Sequence, residues 1–159
     1  MKTYWLRKSI WLPQSRAKVF EFFSNPVNLD RLTPAWLNFA ILTPATSQIK
    51  AGALLDYRLR IRGIPIRWQS EIAAWEPPGR FVDRQTKGPY SLWLHEHTFE
   101  DHEGGTIVGD NVNYAVPGGS IVQKFLVAPD LERIFSYRHK ILEELFNPVK
   151  LTPSQRTGT

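Results

Sequence analysis

The chain of 159 residues contains no cysteine and no long run of apolar residues. The absence of cysteine excludes disulfides, thiolate nucleophiles, zinc knuckles and iron–sulfur clusters. A membrane helix needs about 18 consecutive apolar residues, and the first residues alternate polar with apolar and lack the pattern of a signal peptide. We therefore expect a cytoplasmic protein without stable membrane insertion.

Two sequence patterns of catalysis are also missing. There is no G-x-S-x-G nucleophile pattern, and Ser70 has no histidine close to it in sequence. The glycine pairs at Gly104 and Gly118 lack the phosphate-loop pattern. Nucleophilic catalysis and nucleotide phosphate binding are therefore not predicted.

The composition favours one domain with a sizeable core, because 42% of the residues are hydrophobic and 13% are aromatic. We predict that this domain spans residues 1–147. The polar segment 148–159 follows a Pro-containing helix stop and is predicted to be a mobile tail.

The formal net charge is +5, but the basic residues do not form runs. Arg58, Arg60, Arg62 and Arg67 share the outer face of a predicted hairpin, with Arg60 opposite Arg67. We interpret this row as a solvated sheet face rather than an anion site, and we predict no nucleic-acid partner.

Alternation of polar and apolar residues, with the turn residues between them, predicts an α+β chain. A seven-stranded antiparallel sheet can curl around a final amphipathic helix and bury both apolar faces at once. Ile134, Phe135, Ile141 and Leu142 are expected to face the interior, and Trp36 to lie over the site as a lid. The predicted strands are 4–12, 39–42, 53–62, 65–75, 81–87, 90–100 and 106–116. Two short helices are predicted after the first strand, one capped by Ser15 and one at 27–32. The long helix is predicted at 120–146, with Ile121 and Phe125 in its apolar stripe, and Pro129 is expected to kink it or to restart it.

A polar cluster on an apolar sheet face is the sharpest feature of the sequence. His95 and His97 share the core side of one strand, and Asp110 lies on the core side of the next. The short loop leaves two registers, which place Asp110 opposite either His95 or His97. The facing of Asp83 and Gln85 stays open, because a two-residue loop at Gly88-Pro89 puts Asp83 opposite Leu94, whereas a bulge turns it inward.

Histidine beside a carboxylate supports three interpretations. The pair can act as general acid and base, it can orient the polar end of a bound ligand, or two histidines and Asp110 can hold a metal. A spacing of two on a strand is common by chance, so we predict neither a metal nor a cofactor.

Five segments carry a resemblance to a known family. NPVNLDRLTPAW, WEPPGRFVDRQ, GPYSLWLHEHTF, GGTIVGDNVNYAVPGG and LERIFSYRHKIL are similar to the SRPBCC superfamily (START/Bet v 1-like, helix-grip), and most of all to its small bacterial cyclase/dehydrase-like proteins. The resemblance implies a helix-grip fold with a deep cavity between the sheet and the long helix. Members bind lipids, sterols, polyketides, hormones or quinones, and some catalyse cyclisation or dehydration.

The predicted function is therefore to bind an apolar small molecule of lipid, polyketide or fused-ring type, as a carrier or sensor. The alternative is a cofactor-independent polyketide cyclase or dehydratase that uses His95, His97 and Asp110. The protein is expected to be a monomer or a homodimer. The predicted ligand-binding residues are Tyr57, Trp68, Ser70, Trp93, His95, His97, Phe99, Asp110, Val112, Tyr114, Ile134 and Arg138.

Overall fold

A seven-stranded antiparallel sheet forms the frame of the computed structural model, which describes residues 1–44 and 47–147. The strand order is β1-β7-β6-β5-β4-β3-β2, so the first strand pairs with the last. The strands are β1 (Tyr4–Leu12), β2 (Ala40–Ile41), β3 (Leu54–Ile61), β4 (Ile64–Glu76), β5 (Arg80–Lys87), β6 (Leu92–His102) and β7 (Gly105–Ala115).

Two short helices connect β1 to β2, as predicted. The first, α1 (Arg16–Phe23), begins after Ser15, whose hydroxyl oxygen accepts the backbone N–H of Lys18 at 3.3 Å. The second, α2 (Val27–Arg31), follows at once, and a single 3₁₀ turn comes after it at Ala35–Leu37.

The C-terminal helical segment is continuous but not uniform. It consists of α3 (Gly119–Val122), a π-helical turn (Gln123–Val127) and α4 (Ala128–Phe146). Pro129 lies in the first turn of α4 and has no N–H to donate to the preceding turn. The helical segment nevertheless continues through it, with the π turn directly before it, so the predicted split and restart at Asp130 does not occur.

The long helix α4 lies against the inner face of the sheet and presents the predicted apolar stripe to it. Phe135 and Leu142 are buried, and Ile134 and Ile141 pack at the margins of the core. Ile121 and Phe125, predicted in the same stripe, are instead 72% and 64% exposed. Ile121 lies in α3 and Phe125 within the π turn, and the wider π turn shifts the angular position of residues that precede α4 relative to its stripe.

The β3–β4 hairpin has a different register from the predicted one. Arg67 lies opposite Arg58, so the predicted Arg60–Arg67 pairing is wrong. The turn consists of Arg62 and Gly63, with φ of 51° and 79°, which is the geometry of a two-residue type I′ turn. Because the registers differ by two residues, each side chain keeps its predicted face.

A second two-residue turn fixes the register of β6 and β7. Glu103 and Gly104 have φ of 46° and 75°, and His97 then lies opposite Asp110, which was one of the two predicted registers. The predicted tail at 148–159 lies outside the described residues. Within the described residues, no helix is both long and apolar enough to cross a membrane.

Gly105, the first residue of β7, provides a test of how tightly β1 and β7 are packed. A Cβ atom there would lie 2.3 Å from the Leu12 carbonyl oxygen, so Gly105→Ala should reduce the free energy of unfolding by about 1–3 kcal/mol. In the control Gly79→Ala, the nearest atom is 3.7 Å from the new Cβ, and we expect almost no change. Urea unfolding measures both; equal stability of the two variants would contradict this packing.

Candidate ligand site

A layer of polar side chains separates two apolar clusters inside the protein. Along β6, His95 and His97 lie between Trp93 of one cluster and Phe99 of the other. On β7 Asp110 lies between Val108 and Val112, and on α4 Arg138 lies between Phe135 and Leu142. The polar layer, as we call it, consists of Asp83, His95, His97, Asp110, Arg138 and His139.

Asp110 is the most enclosed member of the polar layer, with 0% exposure. Its Oδ1 accepts a hydrogen bond from His95 Nε2 at 2.8 Å, and its Oδ2 lies 3.6 Å from Arg138 Nε and 3.5 Å from His139 Nε2. Burial alone would raise the pKa of this carboxyl, but the charge of Arg138, the proximity of His139 and the hydrogen bond from His95 hold the pKa well below its usual range. Asp110 Oδ2, Arg138 Nε and His139 Nε2 are close to one another without forming a hydrogen bond.

Asp83 also belongs to the polar layer, which answers the question of its facing. It lies opposite His95, not Leu94. This register differs by one residue from that of a two-residue loop, so Asp83 faces inward, as expected for a bulge. Its Oδ2 accepts a hydrogen bond from His97 Nε2 at 2.7 Å and lies 3.6 Å from His95 Nδ1. Gln85 faces the connection, where its side-chain amide forms two hydrogen bonds with the backbone of Tyr90.

His97 is held as a neutral ring. Burial lowers the pKa of His97 to about 4, with a further contribution from His95, and the hydrogen bond to Asp83 only partly opposes the shift. The ring stacks on Phe81 at 4.0 Å between centroids and lies 3.7 Å from the ring of His95. Burial would raise the pKa of Asp83, but the hydrogen bond from His97 and the nearby charges outweigh it, and the pKa is lowered.

The polar layer forms part of the wall of a cavity between the sheet and α4, which we call the inner cavity. Its volume is about 200 Å³, and Asp83, His95, His97 and Arg138 all border it. Asp110 does not border it. The side chain of Asp83 is 17% exposed, so a molecule in the inner cavity can reach this carboxylate. The remaining wall is largely aromatic and aliphatic and includes Phe23, Phe39, Tyr57, Trp68, Trp75, Phe81 and Trp93.

A second cavity, the outer cavity, adjoins the first. It has a volume of about 560 Å³ and extends to α3, the π turn and Trp36. The two cavities share Leu37, Leu59, Trp68, Trp93 and Ile134 as wall residues. Ligand sites in proteins usually enclose about 300–1,000 Å³, and the two cavities together fall in that range.

Most of the predicted ligand-binding residues border the inner cavity. Phe99, Val112 and Tyr114 are instead packed in the apolar clusters. The sequence places these three on the correct face of the sheet, but the face alone does not separate wall from core. Those that border the inner cavity are Tyr57, Trp68, Ser70, Trp93, His95, His97, Ile134 and Arg138.

A hydrogen-bonded group lies across the inner cavity wall on β3 and β4. The Ser70 hydroxyl accepts the indole N–H of Trp68 at 3.0 Å and shares a hydrogen bond with the Tyr57 hydroxyl at 2.8 Å. Burial, together with the charge of Asp83, raises the pKa of Tyr57. The phenol therefore stays protonated at neutral pH and can act as a hydrogen-bond donor.

Three residues of the polar layer could hold a metal ion. Asp83, His95 and His97 each offer one ligand atom, and these atoms lie within 4.8 Å of one another. The predicted set of His95, His97 and Asp110 differs from it, because Asp83 rather than Asp110 faces the cavity. His95 Nε2 is already bonded to Asp110, an arrangement that also orients histidine ligands in metal sites.

Comparisons with known proteins address the fold. No family model and no curated protein matches the chain. Solved structures do match: a protein of Thermus thermophilus (TM-score 0.73, 15% identity, covering 92% of this chain and 99% of that one) and the major latex-like protein 151 of Panax ginseng (0.69, 14%, 92% and 99%). Ara h 8.0201 also matches, with a TM-score of 0.66 and 15% identity over 91% of this chain and 98% of that one.

These matches confirm the fold class that the sequence resemblance predicted. The chain has the helix-grip fold of the Bet v 1-like proteins, with a curved antiparallel sheet, an early helix pair and a long C-terminal helix. At 14–15% identity the likeness is one of fold, so function has to be argued from the site itself.

The pKa of His97 predicts how stability depends on pH. Because its folded-state pKa of about 4 lies below the ordinary value of 6.5, the unfolded chain binds a proton first as the pH falls. Stability is therefore lost from about pH 6.5 downward, by about 2 kcal/mol at pH 5. Urea unfolding at pH 7 and pH 5 should show that His97→Gln removes this loss.

His102→Gln is the control for that experiment, because His102 is the last residue of β6 and its side chain is 50% exposed. If wild type and His97→Gln lose the same stability between pH 7 and pH 5, the assignment of a buried neutral His97 is wrong.

Asp110 predicts a large effect on stability from a small change in structure. Asp110→Asn removes the charge that faces buried Arg138 and should lower the free energy of unfolding by about 3–5 kcal/mol. The control is Glu76→Gln, which breaks the exposed pair with Arg80 and should cost at most about 1 kcal/mol. A similar, small cost for both variants in urea unfolding would rule out the central role of Asp110.

Proposed function

We propose that the protein binds an apolar small molecule, of lipid, polyketide or fused-ring type, in the inner and outer cavities, as a carrier or sensor. The observation that supports this proposal is the composition of the inner cavity wall. It is mainly aromatic and aliphatic, yet one end presents Asp83, His95, His97 and Arg138. A few polar groups in an apolar cavity are the usual features of a small-molecule site, because they fix the orientation of the ligand.

The connection between the two cavities supports a ligand with an extended apolar part. The inner cavity alone is small, and the outer cavity, which shares five wall residues with it, extends towards Trp36, Val122 and Leu126. A ligand can place its polar end at the polar layer and its apolar body against Trp68 and Trp93, which border both cavities. Burial of that body supplies the affinity, at roughly 25 cal/mol per Å² of apolar surface.

A second candidate function is the cofactor-independent cyclisation or dehydration of a polyketide-like substrate. The observation that favours it is the hydrogen bond of 2.7 Å between His97 and Asp83 at the cavity wall. A histidine with a carboxylate partner can transfer protons in both steps. Asp110 does not border the cavity, so in this scheme it is a positioning residue for His95, and Asp83 takes the role of the carboxylate partner.

Filling the shared wall should block binding. Ile134 borders both cavities, so Ile134→Trp places an indole where the ligand would lie and should weaken binding of the neutral dye Nile red by about tenfold or more. The control is Ile121→Trp, at a position 72% exposed. Fluorescence titration measures the affinities; equal affinity of both variants and wild type would show that the dye binds elsewhere.

The enzymatic candidate makes a separate prediction. If purified protein dehydrates a poly-β-ketone, His97→Gln should lower kcat by about 100-fold or more, because proton transfer of this kind contributes about 10²–10⁴. His102→Gln should leave kcat unchanged. Turnover that survives His97→Gln would exclude the polar layer as the catalytic site.

A further inference from the structure

Asp83, at the end of the inner cavity formed by the polar layer, has no arginine or lysine of its own among the described ion pairs, and with its histidines neutral the layer is short of one positive charge. Two carboxylates, Asp83 and Asp110, face a single guanidinium, that of Arg138. Enclosed charges are costly unless they are paired. Asp110 is enclosed by Arg138, His95 and His139. Asp83 is therefore the carboxylate that a ligand in the cavity can reach.

The hydrogen bonds of His95 leave an acceptor facing the same carboxylate. A carboxylate oxygen can only accept, so His95 Nε2 carries the hydrogen that is donated to Asp110 at 2.8 Å. In the neutral ring Nδ1 is then an acceptor, and it lies 3.6 Å from Asp83 Oδ2. In that state two acceptors face one another, at a distance that a donor in the cavity could bridge.

His97 does not supply that donor. Its Nε2–H is donated to Asp83, and its Nδ1 lies 3.4 Å from a guanidinium nitrogen of Arg138, which donates to it. Both nitrogens of His97 therefore have partners, and the unmatched pair of acceptors is that of Asp83 and His95.

The structure thus points to a cationic ligand, and this inference rests on the proposed function. We propose that the cavity selects ligands whose polar end is a protonated amine, with Asp83 as its counter-ion and His95 Nδ1 as its second acceptor. An ammonium group supplies one charge and up to three N–H donors. Aromatic rings such as Tyr57, Trp68 and Phe81 border the same cavity, and their faces attract cations.

A divalent metal fits this site less well than an ammonium group. Asp83, His95 and His97 would be its ligands, but His97 Nε2 would have to give up its hydrogen bond to Asp83. Its hydrogen would have to move to Nδ1, which faces the guanidinium of Arg138, a group that cannot accept it. Asp110 Oδ1 lies 3.6 Å from this nitrogen but is already bonded to His95. A metal would also add two positive charges where the residues leave one unmatched.

The test compares three matched probes by isothermal titration at pH 7: 2-naphthylmethylamine, which is cationic, 2-naphthalenemethanol, which is neutral, and 2-naphthoate, which is anionic. We expect the amine to bind about tenfold to a hundredfold more tightly than the alcohol, as a charge-assisted hydrogen bond would give. Asp83→Asn should abolish this preference, so that the dissociation constants of amine and alcohol lie within about threefold of one another. Glu100→Gln, which removes an exposed carboxylate from the same strand as His95, should keep the preference.

The outcomes separate the two proposals. Equal binding of amine and alcohol by wild type overturns the cationic ligand but supports the proposed function, and a preference for naphthoate does the same. If Asp83→Asn does not fold, the ratio of the amine and alcohol affinities of wild type still tests the proposal of a cationic ligand. Failure of all three probes overturns both proposals. Tight 1:1 binding of Zn²⁺ that displaces the amine and is lost in His97→Gln replaces the amine site with a metal site.

Discussion

The carboxylate of Asp110 has no contact with solvent, and its charge is stable only while Arg138, His139 and His95 remain beside it. These partners come from two elements, because His95 lies on β6 and the other two on α4. Loss of these contacts would leave a buried charge without compensation. The rotation of α4 about its own axis and the pairing of β6 with β7 are therefore constrained by the same side chain.

The cavity follows from this constraint. Apolar side chains pack on both sides of the polar layer, with Phe99 and Leu142 on one side and Trp93 and Phe135 on the other. Apolar groups cannot replace part of the polar layer without leaving a buried charge unpaired. On the side of Asp83 the layer borders the inner cavity. A purely structural network would be enclosed, as Asp110 is. The exposed part of the network is what makes binding the better explanation.

Much of the fold could be predicted from the sequence because its signals are local. Strand alternation, the Ser15 cap and the apolar stripe of α4 depend on near neighbours, and the structure confirms them. Register was harder, since it depends on turn conformation: the Arg62–Gly63 turn shifted one hairpin by two residues. The face of the sheet to which Asp83 belongs could not be predicted for the same reason, because it depends on the conformation of the connection between β5 and β6. The sequence predicted a pair of Asp110 with a histidine but not the whole polar layer. Arg138 and His139 join the layer from α4, and their positions depend on how α4 crosses the sheet.

Histidine-selective NMR of the folded protein, with and without 2-naphthylmethylamine, tests the central claim most directly. The claim is that the polar layer meets the ligand in the inner cavity. We expect the NMR signals of the ring nitrogens of His95 and His97, which border that cavity, to shift on binding. Those of His102, at the exposed end of β6, should not change. Saturable binding that leaves both His95 and His97 unshifted would contradict the claim, because the ligand would then lie away from the polar layer.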